Sequence, residues 1–171
     1  MQVVKKVFIF LFIIWISFIL FMPKQNLYYK LEEKLSSEDI EINEEKIHEG
    51  LFTFQIENAV IYVKGIGLIH FKKASFFSLL FFNNLKIEEL VLDDSLESIA
   101  PTKLDELSFS YVVWSPQHMA VSGYGAFGKF TGEIDFTTHT VHLDLTETVK
   151  LGAWKHQLKK GEKGWYYETS F

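Results

Sequence analysis

The chain has 171 residues, 48% of them hydrophobic and 16% aromatic, which is enough for the core of one domain and too apolar for a disordered chain. All 17 basic residues are lysine, 22 residues are acidic and the net charge is −5, so a nucleic-acid partner is not expected. The absence of cysteine excludes disulfides, thiolate metal sites and a cysteine nucleophile.

The first predicted element is an apolar run at residues 7–22, in which Ser17 is the one polar residue. Adding residues 3–6, whose two lysines can reach the headgroups, gives the ~20 residues that a helix needs to cross a ~30 Å hydrocarbon core. A cleaved signal peptide also begins with charge and an apolar run, but small residues should follow, and here bulky ones do. We therefore predict an uncleaved transmembrane signal anchor at residues 1–22.

The lysines before the run favour a cytoplasmic N-terminus. The acidic remainder of the chain would then lie in the periplasm, as part of a single-pass protein of the inner membrane.

A short juxtamembrane amphipathic helix is predicted at residues 23–37. Leu27, Leu31 and Leu35 recur at every fourth position, which places them along one stripe of a helix. Two positions for this helix stay open, since it can lie on the membrane surface as a collar or pack against its own domain.

Residues 38–171 are predicted to form a mainly β domain, because the hydrophobic period changes to two. Apolar and polar residues alternate at residues 52–56, 107–111 and 141–146, and few prolines interrupt the pattern. We expect about nine or ten strands in an antiparallel meander sheet, open or partly closed in a taco-like shape. A sheet with one apolar face must close, cover a helix, or leave an apolar trough.

One segment, residues 76–82, breaks the alternation with six large apolar side chains in seven positions. Their spacing predicts a short inserted helix of two turns, which the following asparagines can end. A helix that is apolar nearly all round must be buried as a plug under the sheet, or else contact lipid or a partner. The candidate residues for this role are Phe76, Phe77, Leu79, Leu80, Phe81 and Phe82.

Three glycines, Gly123, Gly125 and Gly128, match the spacing of a dinucleotide-binding motif. That motif must open a helix whose N-terminus receives the pyrophosphate, but an alternating segment typical of a strand follows here. We interpret these glycines as positions that let a strand bend or relieve crowding on a concave face.

Polar groups with the potential for catalysis are interpreted as surface residues. His142 and Asp144 share one face of a predicted strand, and adjacent acids such as Glu88 and Glu89 diverge on a strand. We therefore predict no catalytic residue, no metal and no cofactor, and thus no enzyme. A metal-dependent hydrolase that uses His142 and Asp144 is the third alternative.

The segment ASFFSLLFFNNLKIEELVLDD, residues 74–94, resembles the recurring unit of the AsmA- and TamB-like envelope proteins. The layout of an anchor, a following helix and a meander with late glycines is similar to the type II secretion system protein N family. The resemblance implies an inner-membrane protein with a periplasmic β domain that works by contact, and it carries over no catalytic residue.

From the anchor, the strands and this resemblance we predict a membrane-anchored periplasmic structural or assembly component of a bacterial envelope machine. Its partners would be the inner membrane and other envelope proteins. The alternative is a lipid-binding or lipid-handling module, in which an open apolar trough holds the acyl chains of phospholipid.

Overall fold

The structure is a computed structural model of the chain. It describes residues 2–21, 23–79, 81–97, 100–146, 152–161 and 164–171, with the backbone alone at 18–20 and 152–154. The helices are α1 (Gln2–Phe21) and α2 (Lys24–Ser36). The strands are β1 (Ile40–Asn43), β2 (Lys46–Glu49), β3 (Thr53–Val63), β4 (Ile66–Leu79), β5 (Phe82–Leu92), β6 (Lys103–Val112), β7 (His118–Gly125), β8 (Gly128–Asp135), β9 (Thr140–Leu145), β10 (Lys159–Gly161) and β11 (Gly164–Ser170).

The strands form one 11-stranded antiparallel sheet in the order β1-β3-β4-β5-β6-β7-β8-β9-β11-β10, and β2 pairs with β3 beside β1. Each strand from β3 to β8 lies next to the strand that follows it, which confirms the predicted antiparallel meander. Within the described residues the edge formed by β1 and β2 does not pair with β10, so the sheet is not closed.

One face of the sheet is apolar and the other is polar, as the alternation predicts. A row of directly paired apolar residues crosses four strands and consists of Phe76, Leu85, Phe109 and Val121. The adjacent row is polar and consists of Ser75, Lys86, Ser108 and Ser122. Successive residues of a strand point to opposite faces, so these two rows lie on opposite sides of the sheet.

The regular pairing is interrupted at the same level in four neighbouring strands. The skipped row, which we call the crease, consists of Asn58, Lys72, Glu89 and Asp105. Asn58 and Glu89 have positive φ angles of 52° and 51°, in the left-handed region that side chains rarely adopt. On one side of the crease the even-numbered residues of β3 point to the apolar face, such as Ile56. On the other side the odd-numbered residues do, such as Ala59. This change is what we call a change of parity. Each strand therefore presents two consecutive polar residues to the polar face.

Charged side chains join the strands around the crease. Lys72 of β4 donates a hydrogen bond to Glu89 of β5. The ammonium of Lys86 in β5 lies 3.0 Å from Glu106 of β6, and 3.2 Å from Glu88 of its own strand. The next row along the apolar face is buried and consists of Ala59, Phe71, Leu90 and Leu104. Local interruptions of this kind bend a strand. We infer that the four strands bend together toward the apolar face and thereby cover this row.

The apolar face is filled at the end of the sheet beyond the crease. Phe127 and Phe130 stack there with ring centroids 6.0 Å apart, and Leu145 and Leu158 complete the buried group. A Cβ at Gly123 would lie 2.6 Å from the Phe130 ring. The prediction that the glycines relieve crowding is thus confirmed at this position, and β8 follows the motif as a strand.

The prediction of an inserted helix at residues 76–82 is wrong. Phe76, Phe77 and Leu79 belong to the end of β4, Phe82 begins β5, and Leu80 lies outside the described residues. The predicted burial as a plug is wrong too, because Phe81 in the turn is 48% exposed. Large apolar side chains lie on both faces of the hairpin here, with Phe76 on one face and Phe77 and Phe82 on the other. Apolar and polar residues therefore do not alternate along the sequence, and their spacing resembles that of a helix.

Phe130 and Phe81 form a matched pair that tests this correction. We expect Phe130→Ala to cost ~3–5 kcal/mol of the free energy of unfolding, because it empties a buried site. Phe81→Ala should cost about 1 kcal/mol or less, as is usual for exposed positions. Chemical denaturation of the full chain in mild detergent, followed by circular dichroism, measures both. If Phe81→Ala lowered the free energy of unfolding as much as Phe130→Ala, Phe81 would have to be buried, as the plug prediction requires.

The crease is tested by glycine substitutions at two adjacent positions. Glu89→Gly should leave stability unchanged or raise it, because glycine adopts a positive φ without strain and the exposed contact with Lys72 contributes little. Glu88→Gly, at a regular strand position, should lower the free energy of unfolding by ~0.5–1 kcal/mol. The same denaturation assay compares the two, and equal losses would show that Glu89 is not strained.

Candidate functional site

An open cavity of about 380 Å³ lies on the apolar face, next to the turns that join β4 to β5 and β6 to β7. Its walls come from four successive strands, and almost all of its surface is apolar. The lining residues are Phe76, Asn83, Leu85, Phe109, Tyr111 and Met119. We call this part of the apolar face the trough.

Asn83 brings an amide group into the lining of the trough. Its Oδ1 accepts a hydrogen bond from the hydroxyl of Ser78 at 2.6 Å. The neighbouring Asn84 lies on the opposite face, where its amide donates to the hydroxyls of Ser108 and Ser110, each at 2.9 Å. No charged side chain is among the described residues that line the trough, so its chemistry fits an apolar ligand.

The β4–β5 hairpin carries large apolar side chains on both faces near its turn. Phe76 faces the trough, whereas Phe77 and Phe82 lie on the opposite face with ring centroids 6.3 Å apart. Phe81 lies in the turn, 6.1 Å from the ring of Trp15 in α1 and 6.3 Å from that of Trp114 in the β6–β7 turn. Among the described candidate residues, Phe76 alone lines the trough, and the candidates do not form a single buried cluster.

Of the residues lining the trough, five were not predicted as site residues, namely Asn83, Leu85, Phe109, Tyr111 and Met119. The alternation places Phe109 and Tyr111 on one face of their strand, but it does not indicate where that face stays open. A cavity depends on the bend of the whole sheet, which no local pattern in the sequence reports.

Helix α2 packs against the domain through one side and exposes the other. Tyr28 is buried against the Phe54 ring, at 5.4 Å between centroids, and its hydroxyl donates to Glu44 at 3.0 Å. The ammonium of Lys24 donates to the carbonyls of Gly50 and Leu51 at 2.6 and 2.7 Å. Leu27 and Leu31 of the predicted stripe are exposed. The helix therefore docks on its own domain and still presents apolar residues outward.

The apolar side chains of α1 are largely exposed, with Phe8 at 69% and Phe10 at 63%. Within the part of the chain that the structure describes, no helix is both long and apolar enough to cross a membrane.

A larger cavity, about 750 Å³, separates α2 from β1 and has an acidic lining that includes Glu32, Glu33 and Glu41. Burial and the negative charge of Glu44 raise the pKa of Glu32 above its ordinary value. Among the described residues, no group of three or more histidine or acidic side chains is placed to hold a metal ion. The acidic lining also does not suit an apolar ligand, so the trough remains the better candidate site.

His142 and Asp144 lie together on the polar face of β9, with 3.3 Å between Nε2 and Oδ1. The imidazole stacks on the ring of Tyr166 at 5.3 Å, and both members of the pair are exposed. His139 lies in a separate turn, against the ring of Phe171. The structure therefore places His139 and His142 in different surroundings, and the absence of a catalytic or metal-binding role for them stays a prediction.

Comparisons with known proteins found no match to a protein-family model, to a curated protein or to a solved structure.

The docking of α2 is tested by Tyr28→Phe. Burial and the hydrogen bond to Glu44 raise the pKa of Tyr28 well above its ordinary value, so the folded state favours the neutral phenol. This contribution is complete below the ordinary tyrosine pKa of ~10 and is lost as the pH rises further. Tyr28→Phe should therefore cost about 1 kcal/mol near pH 8 and less near pH 11.

Denaturation of both proteins at the two pH values measures the effect, with Leu31→Ala as a control for an outward position. A cost of Tyr28→Phe that does not change with pH would contradict the role given to this hydrogen bond.

Proposed function

We propose that this protein is a membrane-anchored β module that holds lipid acyl chains in its trough. The cavity of about 380 Å³ carries the proposal, because its surface is almost entirely apolar. Its volume lies within the range of roughly 300–1,000 Å³ that is usual for small-molecule sites. The absence of charge among the described lining residues favours an apolar chain over an ion or a sugar.

The position of the trough supports lipid over other apolar ligands. Tyr111 and Met119 flank the turn that carries Trp114, and the next turn carries Phe81 in contact with Trp15 of α1. An acyl chain that leaves the lipid around α1 thus meets the apolar side chains of Phe81 and Trp114, in the turns next to the cavity.

The anchor in this proposal is the whole apolar run at residues 7–22, including those side chains that lie outside the described set. Its described side chains are mostly exposed, and lipid is the solvent that favours an exposed apolar helix. Because Lys5 and Lys6 precede the run, we place the N-terminus in the cytoplasm and the β domain in the periplasm, on a single-pass protein of the inner membrane.

A role as an assembly component of an envelope machine, of the type II secretion kind or another, rests on the resemblance and stays a prediction. The trough is a specific observation in favour of lipid handling, so we prefer lipid handling to the assembly role.

The proposal is tested with two adjacent residues of β7, Met119 in the trough and Ala120 on the polar face. The full chain, purified in mild detergent, is incubated with phosphatidylglycerol that carries a photoreactive acyl chain, and the crosslinked peptides are quantified by mass spectrometry. We expect Met119→Gln to reduce labelling of the β5–β7 peptides several-fold, because it places an amide in an apolar site. Ala120→Gln, which adds the same group outside the trough, should leave labelling unchanged.

Circular dichroism must show that both variants keep the wild-type fold. Labelling confined to α1, or equal labelling of the two variants, would contradict an acyl-chain site in the trough.

A further inference from the structure

The turns at one end of the sheet carry large exposed apolar side chains. These turns join β2 to β3, β4 to β5, β6 to β7 and β8 to β9, and antiparallel pairing brings all of them to the same end. Trp114 is 73% exposed and Leu51 is 58% exposed. We call this set the apolar rim, and it consists of Leu51, Phe52, Phe81, Val113, Trp114 and Phe136.

Backbone hydrogen bonds join neighbouring turns of the rim. The amide of Ser78 donates to the carbonyl of Phe52 at 2.9 Å, and the amide of Val113 donates to that of Phe81 at 3.0 Å. The amide of Phe136 donates to the carbonyl of Gln117 at 2.8 Å. The exposed side chains therefore project from one continuous backbone edge, and they are not isolated residues on independent loops.

The turns of the rim contain no lysine, aspartate or glutamate among their described residues, 50–52, 81, 113–117 and 136–139. The opposite end differs, because Lys64, Asp93, Asp94 and Glu97 are exposed in its turns, with Ile66 as an exposed apolar exception. An uncharged aromatic end and a charged end give the sheet a polarity along its strands. A domain that is surrounded by water on all sides does not require such a difference.

Helix α1 contacts the rim at Phe81, through Trp15, and Lys24 at the start of α2 binds the turn that carries Leu51. Trp15 lies six residues before the end of α1, which corresponds to about 9 Å of helix. Whether α1 crosses the bilayer or lies along its surface, Phe81 must reach the lipid layer in which Trp15 resides.

We propose that the apolar rim rests in the interfacial layer of the lipid bilayer, so that the sheet contacts the membrane directly and not only through its anchor. The inference rests on the membrane association of α1 proposed above. Aromatic side chains, tryptophan above all, are the residues that favour the boundary between headgroups and acyl chains. Lys24 donates to the carbonyls of Gly50 and Leu51, but the turns themselves bring no lysine or carboxylate group into that layer and avoid its cost. This position directs the open end of the trough toward lipid.

The absence of cysteine permits single-cysteine labelling of the full chain. Gln117→Cys and Thr137→Cys place a label in two turns of the rim without removing an apolar residue. Ser95→Cys labels the opposite end, and Ser17→Cys labels α1. Each protein carries an environment-sensitive fluorophore and is reconstituted in vesicles of phosphatidylethanolamine and phosphatidylglycerol, with or without a quencher attached to the acyl chains.

We expect labels at 17, 117 and 137 to be blue-shifted and strongly quenched, and the label at 95 to be neither. If position 17 is quenched while 117 and 137 behave like 95, the anchor stands and the rim proposal is wrong. If position 17 is not quenched, the anchor is wrong and the rim proposal falls with it.

A second variant separates insertion of the rim from simple proximity to the anchor. Trp114→Ser in the Gln117→Cys protein should lower quenching at 117 several-fold, while the same substitution in the Ser17→Cys protein leaves quenching at 17 unchanged. Ile66→Ser, which removes an exposed apolar residue at the opposite end, should leave quenching at 117 unchanged. Quenching at 117 that survives Trp114→Ser would overturn the role of the aromatic rim.

Discussion

The crease is the constraint on which the shape of the sheet depends. At one level of four adjacent strands, two consecutive residues point to the polar face, so the apolar face must change parity in all four strands together. If one strand lacked this change, its apolar residues beyond the crease would point into water while those of its neighbours pointed inward. The contacts of Lys72 with Glu89, and of Lys86 with Glu106, join the strands on the polar side of the bend.

The bend gives the two ends of the apolar face different surroundings. Beyond the crease, Phe71, Leu90 and Leu104 are buried, and Phe127 and Leu158 fill the remaining space. On the other side of the crease, Phe76, Leu85 and Phe109 line the open trough. A single sheet thus supplies its own core at one end and an unfilled apolar surface at the other.

The order of the strands could be predicted from the sequence because the period of two is regular at residues 52–56 and 107–111. The sequence also contains a signal for the crease, namely the polar pairs Glu57 and Asn58, Lys72 and Lys73, Glu88 and Glu89, and Asp105 and Glu106. Taken singly, each pair is typical of a solvated surface. Only the register, which brings the four pairs to one level, indicates a common bend, and register is not readable from one strand at a time. The trough could not be predicted for the same reason.

The failure of the helix prediction at residues 76–82 carries physical information about the end of the sheet. A strand loses its alternation when both of its faces avoid water, so the apolar residues of this hairpin need an apolar environment on both sides. Phe77 and Phe82 provide it in part by contacting each other on the otherwise polar face. Phe81 reaches Trp15 and Trp114, but it remains half exposed. The described protein therefore covers this hairpin incompletely. A lipid layer around α1 would cover both of its faces at once, whereas another sheet packed against the hairpin would cover one face.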